Sequence, residues 1–272
     1  MLAAAILWSL GGLGIKLAHA SPMAIAGYRS LFALPVLLLA NGTEVWTAFP
    51  ALVRRPAVWG AAVAYAWTVT LFVLANRTTL SANAILLQYT GPLWVVALSG
   101  PLLGERVRGR DLAAIGVGLL GLILVSVEGL AAGRWLGDGL AVLSGIGFGG
   151  IPLLLRLGQR DGEHARVAPA VSFALGSVLT IGVCGWWMVT DGPRDGTSWA
   201  VVAGLGTVQI GAAYALFGAG TRHLRAVEAS LVTMAEPVLN PVWVALFTGE
   251  IPGPGAMAGG LAILVAVLLQ LV

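Results

Sequence analysis

Apolar residues run through this 272-residue chain in ten long blocks separated by short polar breaks. The blocks are Leu2–Ala18, Pro22–Ala40, Ala57–Ala75, Leu80–Ser99, Asp111–Val127, Leu136–Leu155, Val167–Val189, Trp199–Gly220, Val227–Phe247 and Gly255–Val272. Each approaches the ~20 residues that an α-helix needs to cross a hydrocarbon core. The blocks are continuous rather than alternating, and about twice the length of a membrane β-strand, which argues against a barrel. The breaks carry helix stoppers: Ala20-Ser21-Pro22, Asn41-Gly42, Arg54-Arg55-Pro56, Asp191-Gly192-Pro193 and Pro252-Gly253-Pro254. The pattern predicts an all-α membrane protein of ten transmembrane helices with no soluble domain.

One block is written twice. Leu80–Glu105, LSANAILLQYTGPLWVVALSGPLLGE, returns as Arg225–Glu250, RAVEASLVTMAEPVLNPVWVALFTGE. Pro92 recurs as Pro237, Gly104-Glu105 as Gly249-Glu250 and Arg77 as Arg222, each 145 residues on. Ala84 and Leu86 likewise find Ala229 and Leu231. Apolar matches come cheaply in such a chain, but the proline, the Gly-Glu pair and the arginine do not. The expectation is an internal duplication, residues 1–130 and 131–272, with five helices in each half. An odd number per half makes the two halves cross the membrane in opposite senses, as inverted repeats.

Charge sets the orientation. With both termini cytoplasmic, the inner connectors hold Arg54, Arg55, Arg106, Arg108, Arg110, Arg156, Arg160, Arg166, Arg222 and Arg225, and the outer ones only Lys16, Arg77, Arg134 and Arg194. Positive charge gathers inside, which places both termini in the cytoplasm. The first Gly-Glu is followed by three arginines and the second by Pro252-Gly253-Pro254, as expected if the two copies end on opposite faces.

Composition agrees. The chain is 58% hydrophobic and 10% charged, with a mean hydropathy of +0.91. Soluble domains carry about 25% charged residues, so the outer solvent here is the lipid bilayer. The net charge of +3 is spread over connectors and makes no nucleic-acid surface. Cys184, the single cysteine, sits in an apolar block and reads as buried and inert. The opening MLAAAILW has no basic leader, so the first block reads as a retained span. Gly145/Gly149 and Gly255/Gly259 are G-x-x-x-G pairs that favour close helix contact within a chain or in a weak homodimer; a monomer is equally compatible.

Polar groups at membrane depth are the candidates for chemistry, because they are costly there unless they face a cavity or a partner. Glu236 precedes Pro237 in the ninth block and reads as a partner for a substrate amine or a proton, or as a carboxyl bracing a helix break. Thr233, Glu236, Asn240 and Trp243 share one helical face. The matching place in the fourth block is Gln88-Tyr89-Thr90-Gly91, so the two copies differ at the expected substrate depth. Asn83, Trp8, Tyr65, Gln209 and Tyr214 add amides and aromatics to the expected cavity wall. Arg29 reads as an arginine snorkelling to the outer surface, with a carboxylate site as the alternative. Trp46, Trp59, Trp135 and Trp199 read as interface anchors. Gly145–Gly150 satisfies G-x-G-x-x-G but lies inside an apolar span, where helix packing is the better reading than a dinucleotide. His19, His164 and His223 are scattered, and neither a metal-ligand cluster nor a cofactor motif is present in the sequence.

The doubled pattern resembles the EamA-type repeat of the drug/metabolite transporter superfamily. It reads Tyr65…Ala84…Pro92…Gly104-Glu105…Gly116/Gly118/Gly121 in the first copy and Tyr214…Ala229…Glu236-Pro237…Gly249-Glu250…Gly259-Gly260 in the second. Within the superfamily, Leu7-Trp8-Ser9 and Gln88-Tyr89-x-x-Pro92 look most like bacterial aromatic amino-acid exporters. Gly91 departs from that group, where an aromatic is commoner, and implies a broader range of substrates. The resemblance implies a central cavity between the halves and export of amino acids or related metabolites through the inner membrane, with no enzymatic step. Rival expectations are an intramembrane enzyme acting on a lipid or small metabolite, and a membrane scaffold.

Overall fold

A computed structural model describes residues 2–40, 42–91, 93–95, 97–98, 109–159, 164–220, 233 and 235–269. Outside them lie Pro92, Gly104, Glu105, Arg106, Arg108, Arg160, Arg222, His223, Arg225, Ala229 and Leu231, and the side chain of Arg110 is likewise not described. The described residues are helical, with no strand among them. In chain order the helices are α1 (Leu2–Ser9), α2 (Gly11–Leu17), α3 (Pro22–Leu39), α4 (Glu44–Leu52), α5 (Pro56–Thr78), α6 (Ser81–Gln88), α7 (Gly109–Ala131), α8 (Trp135–Gln159), α9 (Ala168–Thr190) and α10 (Gly196–Gly204). A π-helical stretch (Leu205–Ala212) then leads into α11 (Ala213–Gly220), followed by α12 (Ala235–Thr248) and α13 (Pro254–Leu269). Among the described residues, five helical stretches are long and apolar enough to cross a membrane: Pro22–Leu39, Pro56–Thr78, Trp135–Gly158, Ala168–Thr190 and Gly196–Gly220.

Local chemistry explains the helix starts. Ser21 caps α3 by accepting the Ala24 N–H at 3.2 Å, and Pro22 follows at the first helical position, where its missing N–H costs nothing. Pro56 does the same for α5. Asp195 caps α10, accepting the Ser198 N–H at 2.8 Å and its hydroxyl at 2.7 Å. Those two bonds, the backbone one first, hold this exposed carboxyl below its ordinary range.

The blocks depart from single rods in three places. The first is broken at Leu10, between α1 and α2, where Gly11 and Gly12 follow. In the fourth block α6 ends at Gln88, and Tyr89-Thr90 form a turn before helix resumes at Gly91. A proline at position 92 has no N–H for the Gln88 carbonyl, which is why the ladder fails there. In the ninth block the described helix starts at Ala235, so Glu236 lies in its first turn rather than in mid-helix. The connector after the second block also holds a short helix, α4, which the stoppers had hidden.

Helix α5 packs along α8 and α9, α3 along α9 and the π-helical stretch, and α7 along α13. Glycine permits the closest approaches. A Cβ at Gly121 would stand 2.6 Å from the Gly259 carbonyl oxygen, so the second G-x-x-x-G pair serves packing inside the chain. Cys184 is buried, as expected.

At one end of the bundle, polar groups tie separate helices together. Lys16 at the end of α2 pairs with Glu250 at 2.8 Å and donates to the Thr79 carbonyl at 3.2 Å. Glu250 also accepts the Ser81 N–H at the start of α6, where the helix dipole favours an anion. Thr79 donates to Asp138 of α8 at 2.6 Å. The second Gly-Glu motif thus fastens the α2 and α6 ends to the α12–α13 turn. We expect Glu250→Ala to lower the unfolding free energy by about 1–2 kcal/mol, since it strands a cation and a helix-terminal N–H. Glu44→Ala, which removes an exposed 3.7 Å pair with Arg166, should cost under about 0.5 kcal/mol. Thermal melts of the detergent-solubilised variants would check the contrast, and equal losses would contradict it.

Candidate functional site

Side chains from both halves of the chain converge on one buried cavity. From residues 1–127 come Trp8, Arg29, Thr68, Val69, Phe72 and Gln88; from beyond Trp135 come Phe148, Gln209, Ile210, Tyr214 and Glu236. The cavity measures about 20 Å³, room for a single water and much less than any amino acid. A solute of that size needs the walls to part.

Trp8, Gln88, Gln209 and Glu236 each sit at an irregularity or an end of a helix. Gly206 of the π-helical stretch lies against the Arg29 backbone, with an added Cβ only 2.7 Å from the Arg29 carbonyl oxygen. That approach lets Gln209 reach the arginine: its Oε1 accepts from Arg29 Nη2 at 3.0 Å. Its Nε2 donates at 3.3 Å to the carbonyl of Trp8, in the last turn of α1, where carbonyls lack helical partners. Such π-helical turns are rare and cluster at functional sites. Gln88 Nε2 donates to Ser144 at 2.9 Å, and Ser144 donates to the Thr68 carbonyl at 3.1 Å.

Glu236 is tied to the α6 break. The Tyr89 hydroxyl is 2.5 Å from the Thr233 carbonyl oxygen and 3.0 Å from Glu236 Oε2. A phenol has one proton to give, and the nearer carbonyl can only accept. The hydroxyl therefore donates to the nearer carbonyl, or shares its proton between the carbonyl and the Glu236 carboxyl oxygen. The same Thr233 carbonyl also receives the Glu236 N–H, at 3.0 Å.

An aromatic wall closes one side. Trp8 meets Tyr214 edge-on at 4.9 Å and Phe148 at 6.2 Å. Tyr65 and Phe173 pack behind Tyr214, at 4.9 and 4.8 Å.

Of the nine residues singled out in the sequence, five line the cavity: Trp8, Gln88, Gln209, Tyr214 and Glu236. Tyr89 and Thr233 stand behind Glu236 through their hydrogen bonds. Tyr65 is a layer further out, its hydroxyl accepting from Ser177 at 3.2 Å. Asn83 is buried in α6 but does not line the cavity. Asn240 packs against Gly12, and Trp243 donates to Ser9 at 3.1 Å, so the face they share with Glu236 presses on the α1–α2 break.

Arg29 overturns the snorkelling expectation. It is 2% exposed and turned into the cavity, because Gln209 offers an acceptor there. Phe148 and Thr68 were missed outright. Phe148 stands alone in a run of glycines, a signal that the run presents one ring to a neighbour. The glycines themselves pack: a Cβ at Gly145 would be 2.8 Å from the Gln88 carbonyl oxygen. Trp46, Trp59, Trp135 and Trp199 are all exposed on the protein surface, as anchors would be.

The profile of the EamA-like transporter family matches residues 1–127 and 135–272. The chain belongs to that family. Similar relatives are an uncharacterized transporter of Archaeoglobus fulgidus, 28% identical over 77% of this chain and 74% of its own, and the uncharacterized transporter YwfM of Bacillus subtilis, 27% identical over 95% and 88%. A solved crystal structure superposes with a TM-score of 0.66 over 98% of this chain and 93% of its own; at 20% identity this shows a shared fold alone. Family and relatives make this EamA-like protein a multi-pass membrane transporter. Nothing in these relatives bears on the narrower resemblance to aromatic amino-acid exporters.

Proposed function

We propose that this protein exports amino acids or related small metabolites through the cell inner membrane by alternating access. The observation that carries the reading is the small polar cavity, walled by side chains from both matched halves and holding one cation, one carboxyl, two amides and an aromatic face. A zwitterion needs such a mixture, and an apolar drug does not. Ten spans arranged as two inverted five-helix repeats, residues 1–130 and 131–272, would set this cavity on the seam between them. Rocking the halves about the seam would open it to each side in turn. Export as the direction, and amino acids as the cargo, rest on the resemblance of Trp8, Gln88 and Tyr89 to the exporters' pattern.

Uptake of labelled amino acids into proteoliposomes tests the function. Transport above empty liposomes is expected for at least one amino acid. None across aromatic, aliphatic and charged members would overturn the reading. The topology has its own test. Cysteines placed at Gly109 and Gly253 should be labelled by an impermeant maleimide from opposite sides, with buried Cys184 giving little background. Equal labelling from one side would exclude inverted repeats.

A further inference from the structure

The buried polar atoms of the cavity wall that lack a partner among the described residues are all hydrogen-bond donors: the indole Nε1 of Trp8, and Nε and Nη1 of Arg29. Arg29 has five N–H bonds and spends one on Gln209; Nε and Nη1 carry three more that meet no acceptor among the described residues. Its charge is also unneutralised at close range, since no carboxylate among the described residues comes within 4 Å of the guanidinium. A buried, unpaired guanidinium is among the most expensive things a protein can hold, and replacing it by an apolar residue would ordinarily stabilise the fold. A second donor, Trp8, lines the same 20 Å³ space.

From these donors we infer that Arg29, braced by Gln209 and helped by the Trp8 indole, is the subsite for the carboxylate of the transported solute. The inference rests on the reading that this cavity receives the cargo. A carboxylate fits on three grounds. It is planar and offers paired acceptors, which a guanidinium fork meets two at a time. Its single charge neutralises a single arginine, whereas a phosphate dianion would leave excess negative charge beside Glu236. It also brings no donor to a wall that already has too many. The opposite wall, with Glu236 and Gln88, is left for an ammonium group or for solvent. Two cargo classes share this chemistry, amino acids and amine-free carboxylic acids, and the test separates them.

The test measures thermal unfolding of the purified protein in detergent at rising concentrations of three sets of probes. The first is L-leucine, L-phenylalanine, L-glutamine and L-serine; the second is their carboxamides; the third is acetate, isobutyrate and phenylacetate. At least one carboxylate should raise the midpoint, and its carboxamide counterpart should not. Arg29→Gln should weaken each carboxylate that binds by at least about tenfold, and Arg29→Lys should also weaken it, because it keeps the charge but loses the fork. Trp8→Phe removes the N–H together with part of the indole's bulk, so its readout is the preference for carboxylate over carboxamide, which should narrow by about threefold or more; it decides the matter if Arg29→Gln does not fold. Carboxamides that bind as well as the acids, substitutions that leave affinity within about twofold, or no midpoint shift with any carboxylate would each overturn the proposal. If amine-free carboxylates bind through Arg29 and amino acids do not, the subsite stands and the amino-acid reading falls. If amino acids bind the parent protein and Arg29→Gln equally, the amino-acid reading stands and the subsite falls.

Discussion

Gly149→Val should prevent this protein from folding stably, with a loss of about 3 kcal/mol or more, at the upper end of what overpacking costs. Helix α8 crosses the break in the fourth block at this glycine. An added Cβ would overlap the Gly91 carbonyl oxygen and stand 3.0 and 3.3 Å from the Gly91 carbonyl carbon and Cα. All three are backbone atoms, so no side chain can swing aside. The neighbours are equally tight. A Cβ at Gly145 would lie 2.8 Å from the Gln88 carbonyl oxygen, and one at Gly91 would lie 3.1 Å from the Gly145 carbonyl oxygen. Gly150 supplies the control one residue on. Its Cβ would meet only Ala64 and Leu154 side chains at 3.7 and 3.9 Å, which is ordinary contact. Gly150→Ala should be neutral or stabilising by up to about 1 kcal/mol through helix propensity. Size-exclusion profiles and thermal midpoints in detergent would measure both. A Gly149→Val protein that elutes and melts like the parent would refute the backbone-on-backbone contact.

Glu236→Gln should uncouple transport from the pH gradient, cutting gradient-driven accumulation by at least about tenfold while gradient-free exchange stays within about threefold. Intramembrane carboxyls are the usual carriers of coupled protons. This one sits in the first turn of α12, hydrogen-bonded to Tyr89, at a cavity shared with Arg29. The amide keeps the shape and its oxygen can still accept from the Tyr89 hydroxyl, so the fold should survive. It cannot gain or lose a proton. Uptake into proteoliposomes with and without an imposed pH difference separates the two effects. Gradient dependence that survives the substitution would remove Glu236 from coupling and leave it a binding or bracing role.

Much of this architecture is readable from the residues because hydrocarbon is a strict solvent. A chain with 10% charged residues has few ways to fold, and its apolar blocks are largely helical where they are described. The doubled Pro92/Pro237 pattern directs attention to the neighbourhood of the cavity, which Gln88 and Glu236 line. The break at Tyr89-Thr90 was within reach, since a proline deprives a carbonyl four residues back. Arg29 was not. Its direction depends on an acceptor 180 residues away, in a π-helical turn that no local pattern announces. Asn83 fails for the opposite reason: an amide on the expected block tells nothing of which way its helix is rotated. Tyr65 falls between, close to the wall but held back by its bond to Ser177.

The cation of the cavity comes from α3 and its carboxyl from α12, one from each matched half. Two molecules of the leading half, paired head to tail, would confront guanidinium with guanidinium across their joint. Two of the trailing half would confront acid with acid. Only the unequal pair brings one cation and one acid to the joint, so cutting the coding sequence in two and expressing either piece alone should yield no working assembly, whereas co-expression of both pieces should.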